Sequence, residues 1–220
     1  CFVEMVKRVG ANIIIQWYYP GEGQRRLEQG LIMHEPHGHE QAGFRSPEDV
    51  LRAIAQLPDD EVVIRDFDHN AAAKAYADRL KQQQDLFGDD CLVISYFGQA
   101  DFMGGYTTWG YENYLTAAAM DPQLMRRYYH YSALHGRLLN EAIVLAVEKY
   151  GLPPFAYTGQ DICGANGPLM SPAMLREIYF PELKWSMEPA VEGGLQLIWH
   201  CDGNIMPILD DLMDLGVAGL

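Results

Sequence analysis

Apolar and polar positions along the 220-residue chain alternate between short apolar runs and longer stretches of helical periodicity. Runs at residues 13–17, 92–96, 154–158 and 195–200 have the length of buried strands, and another begins at 217–220. Between them the spacing predicts helices. Ser46-Pro47-Glu48-Asp49 supplies an N-cap, a proline in the first turn and two acids ahead of Val50, Ile54 and Leu57. Residues 68–86, rich in Ala, Lys and Gln, predict a helix with one solvent face that stops at Gly88. Residues 110–120 predict another, and Asp121-Pro122 starts the longest, running to Tyr150 with Leu124, Tyr128, Tyr131, Leu134, Leu138, Ala142, Leu145 and Val147 on one face. Ser171-Pro172 opens a helix that Pro181 kinks and Gly193-Gly194 ends, and residues 204–215 form the last. The opening third, with a turn at Gly21-Glu-Gly23 and a polar stretch to Arg45, is the least regular.

Strands alternating with helices require parallel pairing through right-handed crossovers. No Gly-x-Gly-x-x-Gly or Walker-type loop follows a strand, which turns the expectation from a doubly wound nucleotide-binding sheet to a (β/α)8 TIM barrel. A barrel of this kind needs more βα units than residues 1–220 supply. The chain is therefore read as one barrel domain, clearest over 91–220, lacking the first and last units.

Composition narrows the partners. Thirty acidic against sixteen basic residues give a net charge of −14, a field that repels nucleic acid and anionic lipid headgroups. No stretch has the ~20 apolar residues of a membrane helix, and the start is not a signal peptide. Cys1, Cys91, Cys163 and Cys201 have no close-paired spacing, which points to free thiols in a reducing, cytoplasmic compartment. A homodimer is compatible with this composition.

Parallel α/β proteins carry their chemistry just beyond the carboxyl ends of strands. Trp199-His200-Cys201-Asp202-Gly203-Asn204 brings an imidazole, a thiol and a carboxylate to one strand end. His200 and Asp202, at i and i+2, share a side and suit zinc ligation or proton transfer. The alternative is a hydrogen-bonded core histidine, Cys201 as packing and Asp202 as the cap of the next helix. Thr158-Gly-Gln-Asp161-Ile-Cys163-Gly164 offers Asp161 as an acid and Cys163 as a further ligand, or else an Asx turn and an inert thiol. His34-Glu-Pro-His37-Gly-His39-Glu40 is a third metal candidate, but it matches no fixed ligand spacing and a solvated polar loop is the favoured reading. The run from Tyr96 through Phe102 and Tyr106 to Trp109 either walls a pocket for a large planar ligand or packs the core.

Taken in order, Gly110-Tyr-Glu-Asn-Tyr-Leu115, Asp121-Pro122, Gly159-Gln-Asp161, Gly167-Pro-Leu-Met-Ser-Pro172, Pro181 and His200-Cys-Asp-Gly-Asn-Ile205 resemble the uroporphyrinogen decarboxylase superfamily. The resemblance runs from Leu92 onward; residues 1–90 share only the Ser46 helix and Leu57-Pro58-Asp59. It implies a TIM barrel and one of two activities. The methyltransferase branch uses zinc held by a His-x-Cys pair and a later cysteine to move a methyl group to or from a corrinoid carried by a partner protein. His200 matches that histidine, but Asp202 occupies the cysteine position and Cys201 lies one place off. The decarboxylase branch needs no cofactor and manages protons on a tetrapyrrole with a carboxylate and a tyrosine. Phe102-Met103-Gly104-Gly105 echoes its signature with Phe in place of Tyr, and Tyr106 is the nearest substitute.

The expectation is a zinc-dependent methyltransferase acting on a small molecule. Asp161, His200 and Asp202 are its catalytic residues, and His200 and Asp202, with Cys201 or Cys163, its metal ligands. Tyr96, Phe102, Tyr106 and Gly203 line the cofactor. The alternatives are a uroporphyrinogen decarboxylase and a non-catalytic barrel that binds a tetrapyrrole or corrinoid.

Overall fold

The computed structural model describes residues 2–15 and 44–220. Helices dominate it: α1 (Phe2–Val9), α2 (Pro47–Ala55), α3 (Asp60–Arg65), α4 (His69–Phe87), α5 (Met103–Trp109), α6 (Tyr111–Met120) and α7 (Pro122–Tyr150). After one strand and a hairpin, α8 (Pro172–Met174) passes through a π-helical turn at Leu175–Tyr179 into α9 (Phe180–Glu192), and α10 (Leu209–Asp214) follows a 3-10 turn at Met206–Ile208. Among the described residues no helix is long and apolar enough to cross a membrane.

The strands are short. β1 (Ile13–Ile15) pairs in parallel with β2 (Leu92–Ile94), and β3 (Phe155–Gly159) with β6 (Gln196–His200). β4 (Cys163–Gly164) and β5 (Gly167–Pro168) form a small antiparallel hairpin. Single parallel bridges, Ser95 to Ala156 and Ile198 to Gly219, link these pairs into a row.

The expected (β/α)8 barrel is not formed. Closure needs strands tilted and staggered in continuous ladders, whereas here three- and five-residue strands meet through single bridges. Among the described residues nothing pairs β1 with the 217–220 end, so the row stays open. The parallel direction expected from the strand and helix alternation is present. The run at 217–220 is reduced to its one bridge, and the helix expected over 204–215 is shortened to the 3-10 turn and α10. The expected strand at 13–17 is described only to Ile15; the Gly21-Glu-Gly23 turn and the His34 to Glu40 cluster lie outside the described residues.

Helix boundaries follow local chemistry. Asp68 Oδ1 accepts the Ala71 N–H at 3.0 Å to start α4, and Asp121 Oδ1 accepts the Leu124 N–H at 2.9 Å to start α7. Asp49 receives the backbone N–H groups of Arg45 and Ser46 at 2.8 and 3.1 Å, closing the first turn of α2.

α7 is the spine on which the strand ends are assembled. The loop after β2 lies directly on it: a Cβ on Gly98 would stand 2.1 Å from the Gly136 carbonyl oxygen, and one on Gly136 would stand 2.6 Å from the Gln99 nitrogen. Only two glycines permit this approach of backbone to backbone. Asn140, fully buried on α7, seals it by accepting the Gly98 N–H at 2.7 Å and donating to the carbonyls of Gly98 at 2.8 Å and Ser186 at 2.7 Å. One amide thereby joins the loop, α7 and α9 with no polar atom wasted.

A second lock joins α7 to α9 and α3. The buried Glu182 carboxylate accepts from Arg126 Nε at 2.9 Å and meets His130 Nδ1 at 2.8 Å, while His130 Nε2 meets Asp60 at 2.9 Å. The His130 ring stacks on Trp185 at 5.0 Å. Tyr179, in the π turn, donates to the Ala100 carbonyl at 3.2 Å.

Two outcomes follow from these locks. Asn140→Leu strands buried partners on two segments and is expected to cost about 2–4 kcal/mol in urea denaturation, with Gly136→Ala also destabilising through its clash with Gln99. For His130, burial disfavours the charged ring, but the hydrogen bonds to Asp60 and Glu182 outweigh it and raise the pKa. A raised folded-state value stabilises fully below the ordinary histidine range, and that stability is lost as pH rises through the folded value. Unfolding measured between about pH 6 and about pH 9 should therefore show wild type losing more stability than His130→Phe as pH increases.

Candidate functional site

The carboxyl ends of β2, β3 and β6 converge through side chains that bind backbone. Gln99, just past β2, donates to the Gly159 carbonyl at 2.8 Å and to Thr158 Oγ1 at 3.2 Å, and its Oε1 accepts the Trp199 indole N–H at 2.9 Å. Trp199 is fully buried. Gln160 receives the Phe102 N–H on its side-chain oxygen at 2.8 Å, and its own N–H reaches the His200 carbonyl at 3.0 Å. Two glutamines therefore set the positions of Asp161 and His200. The sequence offered only their place, immediately after a strand end, as a signal.

On this platform Asp161, His200 and Asp202 come together. His200 Nε2 lies 3.3 Å from Asp202 Oδ1 and 3.8 Å from Asp161 Oδ1, and one donor atom from each of the three falls within 4.8 Å of the others. Asp161 Oδ1 also accepts the Asp202 backbone N–H at 3.0 Å, so its carboxylate is anchored across the strand ends rather than in an Asx turn of its own segment. Asp202 is mostly exposed and His200 about half so. His200 is thus no core histidine, and its ring lies 6.3 Å from that of Tyr157. Asp202 caps no helix: the 3-10 turn starts after Ile205, and Asn204 Oδ1 accepts the Met206 N–H at 3.1 Å.

Cys201 lies just beyond the end of β6. Its thiol donates to the Asp202 carbonyl at 3.1 Å, with the backbone N–H groups of Ile162 and Cys163 and the Cys163 thiol around its sulfur. Burial raises the Cys201 pKa, with those donors in partial opposition. Burial, reinforced by Cys201, pushes the Cys163 thiol up to about 12. Of the possible ligands read from sequence, Asp161, His200 and Asp202 form one three-donor group, which neither thiol joins. Gly203, with φ of 87° and no room for a Cβ against the Gly164 and Cys163 carbonyls, lets the two segments touch.

The aromatic residues divide in the same way. Phe102 is completely buried, its ring surrounded by Tyr106, Tyr114, Tyr129 and Tyr179 at 5.3–6.1 Å. It is the centre of an aromatic core, in which the Tyr114 and Tyr129 hydroxyls bond to each other. Tyr96 packs against Tyr76 of α4 at 6.1 Å. Tyr106 alone of the three reaches the site, stacking on Tyr111 at 4.3 Å and donating its hydroxyl to the Asp161 carbonyl at 3.2 Å. Its pKa is raised, first by burial and then by Tyr111, Asp161 and Cys201. Asp101 is a part-buried carboxyl that sequence reasoning missed. Burial raises its pKa against the Gly104 N–H, Tyr128 and Gln160.

Comparison with family models, curated proteins and solved structures finds no match to the chain.

Proposed function

We propose that this chain is the catalytic part of a metal-dependent enzyme, with Asp161, His200 and Asp202 as the protein ligands of a zinc ion. The reaction is transfer of a methyl group between a small molecule and a corrinoid carried by a partner protein. The convergence of the three donor atoms carries the reading. Two donors each ~2.0–2.2 Å from one tetrahedral zinc stand about 3.4 Å apart, and His200 Nε2 lies 3.3 and 3.8 Å from its two carboxylate neighbours. An imidazole with two carboxylates suits zinc or a harder divalent ion. A zinc ion there acts as a Lewis acid that keeps a substrate thiol or hydroxyl deprotonated and nucleophilic.

The chain's own residues do the rest. Asp161 is held in place by the Asp202 N–H and Tyr106 packs beside it, which fixes one wall. The exposure of Asp202 leaves the other side open to a substrate and to a large partner. The choice of methyl transfer rests on the order of motifs from Leu92 to Ile205, and the free thiols of Cys91, Cys163 and Cys201 fit a reducing, cytoplasmic setting.

A second reading draws on Tyr106 beside Asp161. A carboxylate and a phenol in contact with one segment can hold and return a proton, which is what a cofactor-free decarboxylase of a tetrapyrrole requires.

Elemental analysis of full-length protein purified without chelator decides between them. Near-stoichiometric zinc is expected in wild type, with affinity at least about 10–100-fold weaker in His200→Ala and Asp202→Ala. Cys163→Ser and Cys201→Ser should keep their zinc, since neither thiol belongs to the three-donor group. Metal-free wild-type protein that binds no added zinc would overturn the metal reading and leave the decarboxylase.

A further inference from the structure

We propose that residues 59–67, which carry α3, are a pH-sensitive strap that His130 latches onto α7 while its ring is charged and releases when the ring is neutral. The strap lies along one stripe of α7, formed by Arg127, His130, Leu134, Leu138 and Glu141 at spacings of three and four residues. Ahead of the strap Arg127 donates to the Leu57 carbonyl at 2.8 Å, and behind it His69 Nε2 meets Glu141 at 2.9 Å. Between these two posts is the latch, His130 Nε2 to Asp60 at 2.9 Å. Val63, the buried residue of α3, enters a small cluster with Leu134 and Leu138 that Phe67, Tyr131 and Trp185 border. Its neighbours Val62 and Ile64 are exposed.

Counting protons shows why the latch opens at one place. His130 faces Asp60 on α3 and Glu182 on α9, whose other oxygen accepts from Arg126 of α7 at 2.9 Å. Its ring stacks on Trp185, and the Arg137 guanidinium lies 5.0 Å from the same indole. The exposed Asp59 stands 3.5 Å from Arg127. A charged imidazole has two N–H groups, one for each carboxylate, and a neutral one has a single N–H. The Glu182 side chain is 8% exposed and that of Asp60 52%, so water can replace the lost donor at Asp60 but not at Glu182. The remaining proton therefore stays on Nδ1, and Nε2 turns a lone pair toward the Asp60 carboxylate. Attraction at the latch becomes repulsion. The posts hold, because Arg127 keeps its charge and His69, facing Glu141, can keep an N–H on Nε2 in either state. The strap slackens between fixed ends, and Val63 loses the tie that seats it on Leu134 and Leu138. Burial opposes the charged His130 ring, and its hydrogen bonds to Asp60 and Glu182 overcome that opposition. The latch thus stays closed through the ordinary histidine range and opens as pH rises through the raised folded value. The loss of stability with pH is thereby assigned to one segment.

The test is NMR of the full chain with methyl-labelled Ile, Leu and Val, from about pH 6 to about pH 9. Nuclear Overhauser cross-peaks from Val63 to Leu134 and Leu138 should fall at least about twofold across that range, with the midpoint of the His130 ring titration. The methyl signals of Val50 and Ile143, in the main core, should not move. Asp60→Asn, at a half-exposed position that leaves the Glu182 pairs in place, should keep the cross-peaks throughout, because an amide can donate to a neutral Nε2 and accept from a charged ring. His130→Phe should weaken them at every pH. Cross-peaks that persist in wild type after the ring has titrated, a ring that does not titrate in this range, core methyls that change in parallel, or a pH response that survives in Asp60→Asn would each overturn the proposal. None of these readouts depends on bound metal, so the result stands apart from the zinc measurement.

Discussion

The contact between Gly98 and Gly136 is the constraint on which the rest of the molecule depends. Two backbones meet at a distance that excludes any side chain, and Asn140 satisfies the polar groups this brings indoors. The loop after β2 is thereby fixed to the long helix α7 rather than left to follow its short strand. From that anchored loop Gln99 reaches β3 and β6, and Gln160 receives the segment that carries Phe102. A sheet of three- and five-residue strands has too few ladder bonds to hold its ends in register alone. Side-chain amides bonded to backbone supply what the ladders lack.

The chemistry at those ends gathers where β6 stops. His200 and Asp202 meet Asp161, while Cys201 between them stays outside that three-donor group. The acidic character of the whole chain, thirty acidic against sixteen basic residues, favours cations over polyanions as partners.

Much of this was legible in the amino-acid order because it is local. Asp68, Asp121 and Gly151 mark helix ends by their own hydrogen bonds and dihedrals, so α4 and α7 could be placed from spacing. Pairing of His200 with Asp202 follows from periodicity, and the parallel direction of the strands from their alternation with helices. Architecture was not legible, because barrel closure depends on ladder length and stagger, which a run of apolar residues does not encode. The helices α1, α3 and α5 escaped notice for a related reason: six to eight residues give too few turns for a clear period. Phe102 illustrates the limit for single residues, since an aromatic after a strand end reads the same whether it lines a cavity or fills a core.

The π turn at Leu175–Tyr179 amounts to one surplus residue accommodated within a helical run. Each added residue advances a helix by about 100°, so the turn acts as a phase shifter between α8 and α9. Upstream of it Ser171 caps the entry, within it Tyr179 is aimed at Ala100, and beyond it Glu182 is aimed at Arg126 and His130. A perfectly regular α-helix could not present both Tyr179 and Glu182 to these partners from the same entry point. The irregularity is a gear tooth that keeps two faces of the molecule in step.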